Sequence, residues 1–108
     1  MEVTKDQRQE LQSWLNKINK RIEEERDTNT RRALNSKYIG ALKLVDRLGG
    51  EVRYYSNLTH EVKMKEIPTT VDVTGFSTYQ TIGALEFMYS AGLNPSLQNT
   101  KIIIRRTL

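Results

Sequence analysis

His60 is the one histidine in the chain and cysteine is absent, which leaves no set of imidazoles and thiolates to hold a transition metal and no thiolate nucleophile. His60 falls between two segments that alternate like strands, so it is expected in a turn and exposed. Asp72 is the one acid in the small-residue segment 69–77. General acid–base work needs a second titratable group on the same proton, and no acid, lysine or histidine adjoins Asp72 in sequence, so a hydrogen-bonding role in a turn is expected for it. Ser77 and Ser90 lack the glycine-flanked elbow that exposes a nucleophilic serine. No enzymatic activity, metal or cofactor is expected.

Anion recognition has more to stand on. Thr74-Gly75-Phe76-Ser77 places a glycine and hydroxyls just ahead of an expected helix start, where unpaired backbone amides and the helix dipole favour negative charge. A plain helix cap at Ser77 explains the same residues. Arg53, and Arg105 or Arg106 near the chain's end, would grip a phosphate from two sides if their strands were neighbours in one sheet. Alternation along a strand puts only one of Arg105 and Arg106 on the ligand side. Phe76, Tyr79, Tyr54 or Tyr55 would then offer a ring to a base, and each is equally an ordinary core or rim residue.

The elements that must position these residues are legible from periodicity. Thr4 and Gln7 form a capping box, and Leu11, Trp14, Leu15, Ile18 and Ile22 follow at helical spacing. After the polar break Asp27 to Thr30, Leu34, Tyr38, Ala41, Leu42, Val45 and Leu48 mark a second helix that Gly49-Gly50 ends. Two helices joined this tightly pack antiparallel. From Glu51 the period becomes two, giving a strand over 51–55, a turn over 56–60 and a second strand over 61–67 that Pro68 closes. Residues 70–73 form a third short strand. Ser77 and Gln80 repeat the capping box, so 78–91 reads as a helix with a face of Ile82, Leu85, Met88 and Tyr89, although Leu85, Phe87 and Tyr89 also alternate as a strand would. Ile102-Ile103-Ile104 suit a central strand over 101–106 buried on both faces. The expected fold is α+β: an N-terminal antiparallel helical hairpin (1–48) packed on a small, mostly antiparallel sheet (51–108) with a further short helix, in one domain of residues 1–108.

The composition, 37% apolar and 28% charged, is that of a globular chain, and no apolar run approaches the length of a membrane span. The N-terminus lacks the basic start and apolar core of a secretion signal, so a cytoplasmic address is expected and the Asn57-Leu58-Thr59 sequon reads as a turn. The net charge is +4, with its excess mainly in the hairpin and a grouped remainder at Arg53, Arg105 and Arg106. Few, grouped cations suit a small anionic ligand; the pI of 9.5 and the hairpin's Arg31, Arg32, Lys37 and Lys43 keep nucleic acid as a second partner class. A chain this short buries a modest core, so a homo-oligomer is expected, with the stripe of Trp14, Ile18 and Ile22 as its interface. The same stripe would serve a protein-inhibitor module.

In the order of its elements, a long helical hairpin, Gly49-Gly50, short strands and the strand Ile102 to Arg106, the chain resembles the phage Thoeris anti-defence sponges. The resemblance implies an oligomer in the host-cell cytoplasm that binds a signal of the cyclic ADP-ribose type without degrading it. It implies arginines of the first and last strands on the phosphates, matched by Arg53 and Arg105, with Arg106 able to replace the latter. It also implies an aromatic ring and an asparagine near the base, for which Phe76 and Asn94 stand in the intervening segment.

Overall fold

The computed structural model describes residues 1–56 and 59–106; Asn57 and Leu58 of the expected turn lie outside them. The first helix, α1 (Lys5–Glu24), starts on the Thr4–Gln7 capping box and buries Leu11, Leu15 and Ile18. Asp27 caps α2 (Thr28–Arg47) by accepting from the Thr30 amide and hydroxyl. Gly49, at φ 80°, releases the chain from α2 into β1 (Glu51–Tyr55), which pairs antiparallel with β2 (Thr59–Lys63). After β3 (Thr70–Asp72) comes α3 (Thr78–Ser90), with the Ser77–Gln80 capping box in place. The helical reading of 78–91 is therefore the right one. The chain ends in a hairpin of β4 (Leu93–Gln98) and β5 (Lys101–Arg106). The result is an α+β fold, two long helices and a third packed on small antiparallel sheets.

There are two sheets among the described residues, β1-β2 and β3-β5-β4. β5 is central, as its isoleucines suggested, but only Ile102 and Ile104 are buried; Ile103 is half-buried on a face that no helix covers completely. β4 goes beyond the periodicity because its two inward residues are Leu93 and Pro95, and the proline reads as a helix stop. At the sheet's edge a proline costs no ladder bond. The hydroxyl of Tyr89 donates to the Pro95 carbonyl, 3.2 Å away. The strand expected over 61–67 is shifted to 59–63; beyond it the N-terminal segment takes over the pairing, with the Val3 amide on the Lys65 carbonyl and the Ile67 amide on the Met1 carbonyl.

Two interlocks hold helices to their neighbours. Gly40 of α2 and Gly83 of α3 face each other's backbone: a Cβ on Gly40 would lie 1.9 Å from the Gln80 carbonyl oxygen, and one on Gly83 would lie 2.1 Å from that of Lys37. The crossing is a mutual notch, tied at its sides by Lys37 to Glu86 and Lys43 to Gln80, both at 3.0 Å. It turns α3 so that Gly83, Ala84, Phe87 and Met88 are its buried residues, while Ile82 and Leu85 are half-buried and Tyr89 is exposed, unlike the face expected from size alone.

The second interlock runs along β2. Side chains four apart on α1 meet residues two apart along β2 and just past its end: Arg8 donates to the Met64 carbonyl, Gln12 accepts from the Val62 amide, and Asn16 accepts from the His60 amide. Four helical residues rise about 6 Å and two strand residues about 6.6 Å, so the steps match. α1 thus stands where a third strand would. One cluster of buried residues, from Leu11 on α1 to Ile104 on β5, joins both halves. Trp14 lies edge-on to Phe87 of α3, ring centroids 5.5 Å apart, and Ile18 is 5% exposed. The apolar stripe expected to be an interface is thereby used inside the chain at Trp14 and Ile18, because β2 and α3 both pack on α1; Ile22 is half-buried. Among the described residues no helix is long and apolar enough to cross a membrane.

Candidate functional site

β4 and β5 are joined by Asn99-Thr100, with Asn99 at φ 57°, a left-handed position that asparagine tolerates better than most residues. Their register sets Asn94 directly opposite Arg105, Ser96 opposite Ile103 and Gln98 opposite Lys101; β3 adds Thr70 beside Ile103 and Asp72 beside Lys101. Cross-strand partners share a face. All of these except half-buried Ile103 are exposed, so the outer face of the sheet is polar, with Lys101, Ile103 and Arg105 as its central column. Asp72 lies close enough to Lys101 for the two charges to interact. Among the described residues Arg105 has no ion pair and no side-chain hydrogen bond, and it stands beside an amide side chain. Arg106 points to the opposite face, across from Leu93. Alternation therefore puts Arg105, not Arg106, on the face of Asn94.

The grip expected between Arg53 and Arg105 needed β1 and β5 to be sheet neighbours. They belong to different sheets, so one chain does not form it. Arg53 is instead flanked by acids: its Nε lies 3.4 Å from Glu51 Oε1, and its register partner on β2 is Glu61. The hydrogen bond to Glu51 raises the guanidinium's pKa further above its ordinary value.

Gly75 and Phe76 line a cavity of about 390 Å³ with Thr78, Thr81, Leu97 and Asn99. Four of the amides around this turn already have acceptors. The Thr74 amide donates to Asp72, that of Phe76 to the Val73 carbonyl, that of Ser77 to Gln80, and that of Gln80 to the Ser77 hydroxyl. Ser77 is a helix cap, and Asp72 has the turn role its surroundings suggested. Hydrogen bonds from Thr74 to the Asp72 carboxylate hold its pKa below the usual range. Arg47 donates to the Asp72 and Thr74 carbonyls and, with Lys43, lies over the Phe76 ring, at 5.4 and 4.5 Å from its centroid. Phe76 thus anchors the loop to α2.

His60 is the residue that the sequence placed wrongly. It is 4% exposed on β2, on the same face as Val62 and Met64, a parity that could have shown it. Asn16 Oδ1 accepts both the His60 amide and Nδ1–H, each at 2.8 Å. That atom must be the oxygen, since a backbone amide donates to it, so Nδ1 carries the proton and Nε2 accepts from the Tyr38 hydroxyl at 2.8 Å. Tyr54 covers the ring with centroids 4.9 Å apart. Burial pushes the His60 pKa down and that of Tyr38 up. The cluster ties α1, α2, β1 and β2 together.

A wider groove of about 1010 Å³ runs beside α1 and β2, lined by Arg8, Lys63 and Lys65 but equally by Glu51, Glu61 and Glu66. Its mixed signs select no ligand charge. Among the described residues no three histidine, aspartate or glutamate side chains are grouped to hold a metal. Comparison of the chain with protein families, with characterised proteins and with solved structures finds no significant match.

Proposed function

We propose that the chain binds and sequesters a small anionic nucleotide of the cyclic ADP-ribose type without transforming it, as a phage counter-defence protein acting in the host cytoplasm. The observation that carries this reading is the pair Asn94–Arg105, directly opposite each other on an exposed sheet face. Arg105 has no acid among the described residues to compensate it, and a guanidinium presents paired N–H donors to a phosphate. Asn94 alongside supplies both a donor and an acceptor to a base edge. A flat face encloses little of a ligand, so the pocket is completed by a second copy of the chain.

The reading is tested by thermal unfolding against cyclic ADP-ribose isomers, cyclic oligonucleotides, NAD and a short DNA duplex. A ligand at a hundred times its Kd stabilises the native state by about 2.7 kcal/mol, roughly a 10 °C rise for a domain of this size. The rise is expected with one cyclic nucleotide, lost in Arg105→Ala and kept in Arg106→Ala. Equal loss in both variants, or no rise with any nucleotide, overturns it. A rise with DNA alone that disappears steeply with salt would favour nucleic acid instead. The hairpin's cations speak less for that partner than their number suggests: Lys37 is paired with Glu86, Lys43 with Gln80, and Arg31 donates to the Glu25 carbonyl.

A further inference from the structure

β2 has both edges occupied, one by β1 and the other by the side chains of Arg8, Gln12 and Asn16. β1 has only one. In an antiparallel pair the residues alternate between those that bond across the ladder and those that point away from it. The amides of His60 and Val62 go to α1, so their partners Tyr54 and Val52 are the outward-pointing ones, and the bonded pairs are Glu51 with Lys63, Arg53 with Glu61 and Tyr55 with Thr59. Among the described residues the backbone groups of Val52 and Tyr54 have no partner beyond β2. Glu51, Arg53, Tyr54 and Tyr55 are all exposed. This is a free edge five residues long, not blunted by a proline or a bulge.

We propose that this edge pairs antiparallel with β1 of a second copy, in the register that sets Val52 opposite Val52 on the two-fold axis. A two-fold pairing that uses the outward groups can be centred on residue 52, 53 or 54. Centred on 53, it opposes Arg53 to Arg53, like charges at the closest approach of the ladder. Centred on 54, it sets Arg53 against Tyr55 and leaves Glu51 without a basic partner. Centred on 52, Glu51 of each copy faces Arg53 of the other. The existing register then continues outward, since Glu51 already opposes Lys63 and Arg53 opposes Glu61. Across four strands the rows read Lys63, Glu51, Arg53, Glu61 and, in the reverse sense, Glu61, Arg53, Glu51, Lys63. Each charge is flanked along its row by its opposite, and opposite-sign cross-strand pairs are the stabilising ones. Val52 and Val52 meet on the other face, and their backbones exchange two hydrogen bonds on the axis. Arg53 is in this arrangement an assembly residue.

The proposal goes beyond the reading above and is measured without nucleotide, so dimerisation and ligand binding can fail separately. Sedimentation equilibrium over a wide concentration range should give a reversible dimer for the native chain. Glu51→Lys and Arg53→Glu should each be monomeric, because each places like charges across the axis. Mixed together they should form a heterodimer. The lysine introduced at position 51 of one chain then faces the glutamate introduced at position 53 of the other, and the unaltered Arg53 and Glu51 face each other. Circular dichroism checks that each variant is folded. In the unaltered chain the Val52 amide should become protected from hydrogen exchange as concentration rises, which needs no variant to fold. A monomeric native chain, single variants that dimerise like the native chain, a mixture that stays monomeric, or a Val52 amide indifferent to concentration would each overturn it.

Discussion

His60 is neutral in the fold because its Nδ1–H and the Tyr38 hydroxyl saturate the ring while burial opposes a charge. Its folded pKa is below the ordinary 6.5, so the unfolded chain takes up the proton first as pH falls. Stability is therefore full above about pH 6.5 and is lost as pH drops from there through the folded value. The melting temperature should fall as pH is lowered below about 6.5, and fall less in His60→Gln; an identical decline in both would remove His60 as its cause. Arg105 and Asn94 show how far single residues are legible. That Arg105 and Arg106 must face opposite ways follows from strand geometry alone, whereas which of them joins Asn94 depends on the β4–β5 register, set by the turn at Asn99. For Arg53 the acidic neighbours Glu51 and Glu61 are close in the chain, whereas its placement in a different sheet from Arg105 depends on contacts between residues far apart in sequence.

Among the elements, the α2–α3 crossing depends on two absent side chains. Because the atoms in the way at Gly40 and Gly83 are backbone carbonyls, neither site can yield by a rotamer change. Gly40→Ala and Gly83→Ala should each destabilise by about 3 kcal/mol, the upper end for overpacking, while Gly75→Ala, where no atom lies within 4 Å, meets only the backbone strain of its positive φ. Chemical denaturation measures both; equal effects at Gly40 and Gly75 would refute the notch. Ser77→Ala should cost about 1 kcal/mol as the loss of a cap. The capping boxes at Thr4 and Ser77 and the α1 stripe were plain in the sequence because helix signals are local. The buried face of α3 was not, because a pattern sought in large apolar residues passes over a helix whose contact surface is glycine and alanine.

For the molecule as a whole, Trp14 is the single tryptophan, and it sits on Phe87, one contact from the sheet half of the core. Its fluorescence and the far-ultraviolet dichroism should therefore report one coincident unfolding transition; two separated transitions would mean that hairpin and sheet unfold independently. The α+β class was readable because the hydrophobic period changes from helical to alternating at Gly49-Gly50. The division into two sheets was not, since strand order depends on contacts between residues far apart in the chain. The ladder of Arg8, Gln12 and Asn16 has a consequence for assembly. Strands with two open edges can add partners without end, which is how fibres grow. Here α1 closes one side of the hairpin with side chains too irregular to template another strand. A hairpin sealed in this way can accept one neighbour through β1, and the joined pair then has no edge left in that sheet to offer a third chain.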